Sequence, residues 1–198
     1  MGFEHEHRRN EIADAVLAVV AEHGLAAVSL VAVATQAGVS PGRVQHYFPA
    51  KRELIEAAFE RGNALSSDRI AAKTRPDDQD VSRRRLLTVV LTELIPYDAV
   101  TRAHLRVRQS FTAVALADEA IATRLRVDYA KLHGQLADLL RCDQAAGHLR
   151  AGTDPAKVAV ALVALAEGLA YYVLIGVYPA EAARDQVLAG ISEVYAVA

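Results

Sequence analysis

Leu30–Lys51 reads LVAVATQAGVSPGRVQHYFPAK, and its order of apolar, glycine and capping residues predicts two short helices around a tight turn. Val31, Ala34 and Ala37 fall on one face of the first helix. Gly38 stands where a chain leaves a helix with positive φ, and Val39 follows it to fill the space between the two helices. Ser40 offers a side-chain oxygen to the open N–H groups of a second helix. Pro41 occupies its first position, where a missing N–H costs nothing.

This is the layout of a helix-turn-helix, and the charge pattern around it is that of a nucleic-acid surface. From His23 through Arg52 there is no Asp or Glu, so Arg43, His46, Lys51 and Arg52 stand unopposed along the sequence. A duplex carries one negative charge per roughly 1.7 Å of axis, and carboxylates on a face that approaches it would be repelled. After Pro41 the positions expected at the surface are Gly42, Arg43, Gln45, His46 and Tyr47, with Val44 and Phe48 anchoring the helix to its core. Arg and Gln are suited to bidentate contacts with guanine and adenine edges in the major groove.

The stretch from about Arg9 to Phe59, with AGVSPGRVQHYFPAKRELI at its centre, resembles the DNA-binding domain of the TetR family of bacterial transcriptional regulators, in its AcrR/BetI-like general pattern. The family signature has the form G-V-S-x-G-x-x-Y-x-Y-F-x-x-K-x-x-L. An aromatic usually stands where this chain has Gln45, whose amide can donate to a phosphate or a base. The resemblance implies that Pro41, Gly42, Arg43 and His46 face the major groove and that Tyr47 and Lys51 contact phosphates. It also implies that Ser29 caps the first short helix and touches the DNA backbone. For Ser29 and Ser40 a purely capping role is the competing explanation.

The rest of the chain reads as helical. Ile12, Val16, Val19 and Val20 mark the buried stripe of a first helix from Arg9 to His23, closed by Gly24. A helix from Lys51 to Lys73 leads into a surface loop, Thr74–Asp80, with Asp77, Asp78 and Asp80. Further helices are expected up to Pro96, from Asp98 to Leu116 and from Asp118 to Gln144. The last of these has Leu125, Tyr129, Leu132, Leu136, Leu139 and Leu140 on its inner stripe. Thr153 or Asp154 caps the next, and a final one runs from Pro179 to Val197. No segment alternates like a strand. The expected architecture is all-α: a three-helix helix-turn-helix domain over 1–52 joined to a larger helical effector-binding and dimerisation domain over 53–198.

Val158–Val177 is long enough, at ~20 residues, for a membrane span, but Glu167 sits at its middle. A carboxylate at bilayer depth costs roughly 2.5 to 3.5 kcal/mol, so a buried interface helix is the expected role and no membrane association is expected. Its small residues allow a second helix to approach closely. Leu162, Ala164, Leu165 and Leu169, with Val187, Ile191, Val194 and Tyr195 of the final helix, are expected to form a four-helix seam between two copies of the chain. A two-fold homodimer would then read the two half-sites of a palindromic operator.

The resemblance also implies a small-molecule effector that shifts the spacing of the two heads. His104, Phe111, Tyr129, His133, Glu167 and Tyr171 are the candidate lining residues, because they set aromatic or polar groups on otherwise apolar helices. The ligand is expected to be small and largely apolar, and the protein a repressor that releases DNA when it binds. A regulator with no effector, governed by abundance or a protein partner, is the alternative.

Composition sets the remaining bounds. The chain has 198 residues, 53% of them hydrophobic, which allows a sizeable core. Its single cysteine, Cys142, excludes an internal disulfide and is expected to be buried or partly buried. The opening MGFEHEHRRNE has no hydrophobic stretch of signal length, in keeping with a cytoplasmic protein. It reads as a disordered arm from which Arg8 and Arg9 could reach DNA, and its alternating Glu4, His5, Glu6 and His7 are poorly placed to converge on a metal ion. No G-x-S-x-G elbow, phosphate-cradling glycine loop or paired metal motif is present, and Ser110 lacks the glycines of an exposed nucleophile. No enzyme, cofactor or metal is expected.

Overall fold

The structure, a computed structural model, describes residues 2–74 and 82–196. Among them nine α-helices follow in order: α1 (Gly2–His23), α2 (Leu30–Ala37), α3 (Pro41–Tyr47), α4 (Lys51–Lys73), α5 (Arg83–Glu93), α6 (Ala99–Ala115), α7 (Glu119–Ala145), α8 (Pro155–Leu174) and α9 (Ala180–Val194). The all-helical class read from periodicity is the observed one. Beyond Thr74, the loop expected to carry Asp77, Asp78 and Asp80 lies outside the described residues, as does Val197.

Several local readings need correction. The amino-terminal arm is helical from Gly2, not from Arg9. Val31 is 64% exposed, and the buried face of α2 is formed by Val33 and Ala34. Cys142 is exposed. α9 ends at Val194, after which Tyr195 turns into extended backbone and pairs with Leu149 in an isolated antiparallel bridge.

The helix starts follow capping chemistry. Asp98 and Thr101 form a reciprocal capping box at α6, and Asp154, not Thr153, accepts from the Ala156 and Lys157 amides at α8 with Pro155 in its first turn. The Lys157 amide holds the Asp154 carboxyl below its usual range.

The chain forms two compact units, neither of them one run of sequence. The first comprises Met1–Ser67 and Asp98–Ile121, so it contains α1–α3, most of α4, and α6. α1 packs on α2 and α6, and α2 on α3. Val16, Val20, Val28, Val33, Val44, Phe48, Leu54 and Ala58 are fully enclosed there. Asp14 of α1 receives two hydrogen bonds from Arg61 of α4, at 2.7 and 3.0 Å. Phe59 and Phe111 stack with ring centroids 4.5 Å apart. The expected division at residue 52 therefore runs through a packed body in which the start of α4 and the whole of α6 accompany the first three helices.

The second unit comprises Asp68–Tyr97 and Ala122–Ala198. α8 packs on α9, and both contact α5 around Leu87, Leu91, Val163, Ala166, Val187 and Ile191. Two buried carboxylates are held by charge and hydrogen bonding. Glu93, whose side chain is wholly buried, accepts from Arg69 at 2.5 Å and Lys73 at 2.6 Å, fastening the end of α4 to α5. Asp143 accepts from the Tyr195 hydroxyl at 2.6 Å. Burial, then that hydrogen bond, pushes the Tyr195 phenol well above its ordinary range, so it stays protonated and donates.

α8 is long and apolar enough to cross a membrane by length and composition. At its middle, the Glu167 carboxylate accepts from the Tyr129 hydroxyl on α7 at 2.8 and 3.0 Å. A carboxylate satisfied by a neighbouring helix, beside faces packed on α9 and α5, is the arrangement of a core helix.

Gly62 gives a test of packing in the first unit. A Cβ there would overlap the His104 ring. Gly62→Ala is expected to cost about 1–3 kcal/mol through overpacking and to lower the thermal midpoint by several degrees. Adding His104→Ala should recover most of the loss in the same melting measurement.

Candidate nucleic-acid interface

The turn between α2 and α3 is built from local chemistry. Ser29 caps α2 by accepting from the Ala32 amide at 3.1 Å. Gly38 closes α2 in the left-handed region, with φ 65°, and the Val39 amide returns to the Ala34 carbonyl at 3.0 Å. Ser40 then accepts from the Arg43 amide at 3.2 Å, and Pro41 opens α3. The roles of Gly38, Ser40 and Pro41 were readable from residue type and order, and the Ser29 cap was implied by the family resemblance.

α3 has only seven residues, and two of its contacts seat it. Val44 lies under the helix and Phe48, its carboxy cap, just beyond it; both have no exposed surface. Their burial turns Pro41, Gly42, Arg43, Gln45 and His46 to the exterior, while Tyr47 is half-buried at the edge. The exposed set therefore matches the expected one except for Tyr47. Ser29 and Lys51 are also exposed, the latter at the first residue of α4. A Cβ added at Gly42 would meet nothing within 4 Å. Glycine inside a helix costs about 0.5–1 kcal/mol relative to alanine, and here no contact among the described residues requires it.

Electrostatics alters one expectation. Arg52, expected to stand unopposed, lies 3.1 Å from Asp118, the residue that caps α7 by accepting from the Ala120 and Ile121 amides. No local signal could have indicated a partner 66 positions away. Arg43 and Lys51 remain in the acid-free stretch.

α1 contributes contacts that sequence pattern did not reveal. Arg9 donates to the Tyr47 carbonyl at 3.1 Å, and its guanidinium lies 4.5 Å from the centre of the Phe48 ring. The His5 ring is 4.8 Å from that of Tyr47, and His46 meets Tyr47 edge-on at 5.3 Å. Arg8, the other candidate arm residue, pairs with Glu11 at 2.7 Å, and this hydrogen bond holds the Glu11 carboxyl below its usual range. Among the described residues no group of three or more His, Cys, Asp or Glu is placed to hold a metal.

The expected effector residues divide between the units. Phe111 is buried against Phe59, and His104 lies against Gly62, both in the first unit. Tyr129, His133, Glu167 and Tyr171 belong to the second. There the structure brings three of them together: Tyr129 bonds Glu167, and the His133 ring is 5.9 Å from that of Tyr129. Tyr171, one turn after Glu167, is 46% exposed and neighbours Tyr172.

The expected seam residues also divide. Leu162, Val187, Ile191 and Tyr195 are buried within their own unit and belong to its core. Ala164 and Leu165 are exposed, and Leu169 and Val194 are partly so. Helical periodicity marked the apolar faces of α8 and α9 but could not tell which half is covered by the chain itself.

Comparison with known proteins agrees with both parts of the chain. Residues 12–58 match the family model described as bacterial regulatory proteins, tetR family. Residues 83–195, more than half the chain, match that of the BetI-type transcriptional repressor, C-terminal. The transcriptional regulator PksA of Bacillus subtilis is 32% identical over 117 residues, which cover 57% of this chain and 53% of PksA. The regulator BetI of Cronobacter sakazakii is 35% identical over 83 residues, covering 42% of this chain and 41% of BetI. These matches thus span about half the length of the relatives or less. Among solved structures, a transcriptional regulator from Saccharomonospora viridis in complex with choline superposes with a TM-score of 0.83 at 21% identity, over 97% of this chain and all of that one. That likeness is one of fold.

The cap of α3 is open to a direct measurement. Ser40→Ala is expected to cost about 1 kcal/mol, lowering the thermal midpoint by roughly 2–4 °C for a chain of this size. Ser40→Gly should cost only a few tenths of that energy.

Proposed function

The chain belongs to the TetR family of bacterial regulatory proteins, with a BetI-type carboxy-terminal domain, and on that premise we propose that it is a homodimeric repressor whose α3 reads a palindromic operator. It is a transcriptional regulator, not an enzyme. We place its action in the cytoplasm, where the operator is. The observation that carries the proposal is the exterior of α3: Pro41, Gly42, Arg43, Gln45 and His46 exposed together in a stretch without a single carboxylate. Gly42 fits this role, since a site with no internal need for glycine suits the close approach of an external backbone. Arg43, Gln45 and His46 supply base contacts, while Lys51, Tyr47 and Ser29 supply contacts to phosphates.

Two copies are needed because one short helix spans only a few base pairs. The exposed apolar face of α8, with Val160, Ala164, Leu165 and Tyr172, is the surface assigned to the second copy. The effector is assigned to the second unit, near Tyr129, His133 and Glu167. An apolar helix carrying one carboxylate, beside two aromatic rings, suits a small and largely apolar molecule with a cationic end. Choline, bound by the Saccharomonospora viridis protein, is the first compound to try. Occupancy lowers operator affinity by the ligand's difference in affinity between the free and DNA-bound states.

Selection of bound sequences from a random duplex pool tests the proposal: a palindrome should be enriched, and a pool without enrichment would refute it. On the enriched operator, Arg43→Ala should cost about 1–3 kcal/mol and relax base preference, whereas Lys51→Ala should weaken all sequences alike. Asp118→Asn removes the counter-charge of Arg52. It should tighten binding to any duplex and steepen the salt dependence by about 0.9 in logarithmic slope.

Sedimentation checks the seam. Ala164→Glu should yield folded monomers, while Ile191→Glu places a charge in the core and should unfold the second unit instead. Thermal melting against choline and bulkier organic cations checks the effector. The midpoint should rise with concentration, and less so in Glu167→Gln; a flat response across the series would leave regulation without a small molecule.

A further inference from the structure

Among the described side chains of the first turns of α1, Glu4 to Arg8 lie outside the core. The buried stripe of the helix begins at Ile12, and Glu4, His5, Glu6, His7 and Arg8 are all exposed. Two side chains of this segment contact α3. His5 and Arg9 are four residues apart and share a helix face, and both reach the carboxy end of α3.

That end needs support. The last carbonyls of a helix have no partner within it, and α3 leaves at Phe48 with φ −140°, without the left-handed glycine that commonly closes a helix. The Arg9 guanidinium supplies the missing donor at the Tyr47 carbonyl. Its position over Phe48, itself fully buried, fixes the planar fork on a rigid platform. The positive charge also lies at the negative pole of the α3 dipole. The Tyr47 ring contacts those of both His5 and His46, and these contacts favour the rotamer it holds.

We infer that His5 and Arg9 are positioning residues for DNA recognition: they clamp the exit of α3 and hold Tyr47 oriented before the duplex arrives. This rests on α3 being the DNA-reading helix. Preorganisation of this kind strengthens binding because less freedom is lost on docking. Arg9→Lys keeps the charge without the fork, and Arg9→Met keeps only the apolar stem.

The test is equilibrium binding of the full chain to its selected operator and to a scrambled duplex, across salt, with thermal midpoints recorded in parallel. Arg9→Met should bind the operator about tenfold more weakly, and His5→Ala should show a smaller loss. His5→Ala should leave the midpoint within about 2 °C of the parent, and Arg9→Met, which loses the donor to the Tyr47 carbonyl, should lower it by a few degrees while leaving the chain folded at the temperature of the binding assay. Arg9→Lys should recover part of the loss. The decisive arm is a double-mutant cycle, in which His5→Ala adds no further loss once Tyr47→Ala is present.

Parent-like binding by Arg9→Met and His5→Ala would overturn the clamp, as would losses that simply add to those of Tyr47→Ala. Equal losses on operator and scrambled duplex with a shallower salt slope would also overturn it, because Arg9 would then be touching phosphate itself. Arg43→Ala is the control for the underlying premise. If that variant too binds like the parent, α3 does not read DNA, a failure distinct from that of the clamp alone.

Discussion

Everything on the recognition surface depends on burying Val44 and Phe48. Seven residues are far too few for a helix to persist in water by its own hydrogen bonds, so α3 exists because its inner side is enclosed by the first unit. The same burial sets rotation about the helix axis. With Val44 inward, residues 42, 43, 45 and 46 can only face out. Ser40, Pro41 and Gly38 then fix where the helix begins and how it is approached. The persistence of α3 and the direction of its exposed side chains are thus two results of one packing event.

Charge placement completes the surface in two ways. The stretch around α3 carries no carboxylate of its own, leaving Arg43 and Lys51 available to an anionic partner. Arg52, immediately beside Lys51, is occupied by Asp118 from the α6–α7 connection. Adjacent cations at the start of one helix thereby have different status: the first extends the surface, and the second ties α4 to a remote part of the same unit. In the second unit Arg69 and Lys73 are committed to the buried carboxylate of Glu93.

The parts of this molecule legible in the sequence are those set by neighbouring residues. The caps of α3 and α8, the breaks at Gly38 and Pro96 and the span of α4 all follow from short-range sterics and hydrogen bonding, and so did the outward set on α3 apart from Tyr47. Contacts that bring distant positions together left no such trace. Asp118 against Arg52, and Arg9 against the Tyr47 carbonyl, link residues whose spacing carries no information. Periodicity showed that Val187 and Ile191 face something apolar, but the covering surface turned out to be their own chain. Tyr195 misled for a related reason: it continued the apolar stripe of α9, yet it lies past the end of that helix and its hydroxyl is committed to Asp143.

The discontinuous make-up of the first unit bears on how such regulators diversify. Because Asp98–Ile121 folds with Met1–Ser67, one crossover after α4 would give a recombinant gene whose α1–α4 meet an α6 from another parent. Phe59 would lose its matched Phe111, Gly62 its His104, and Arg52 its Asp118. Shuffling by single junctions is therefore disfavoured, and a grafted head must carry α6 with it. Under the proposed function, new specificities are more readily reached by point changes on the outer side of α3 or within the second unit, where the shared scaffold is left intact.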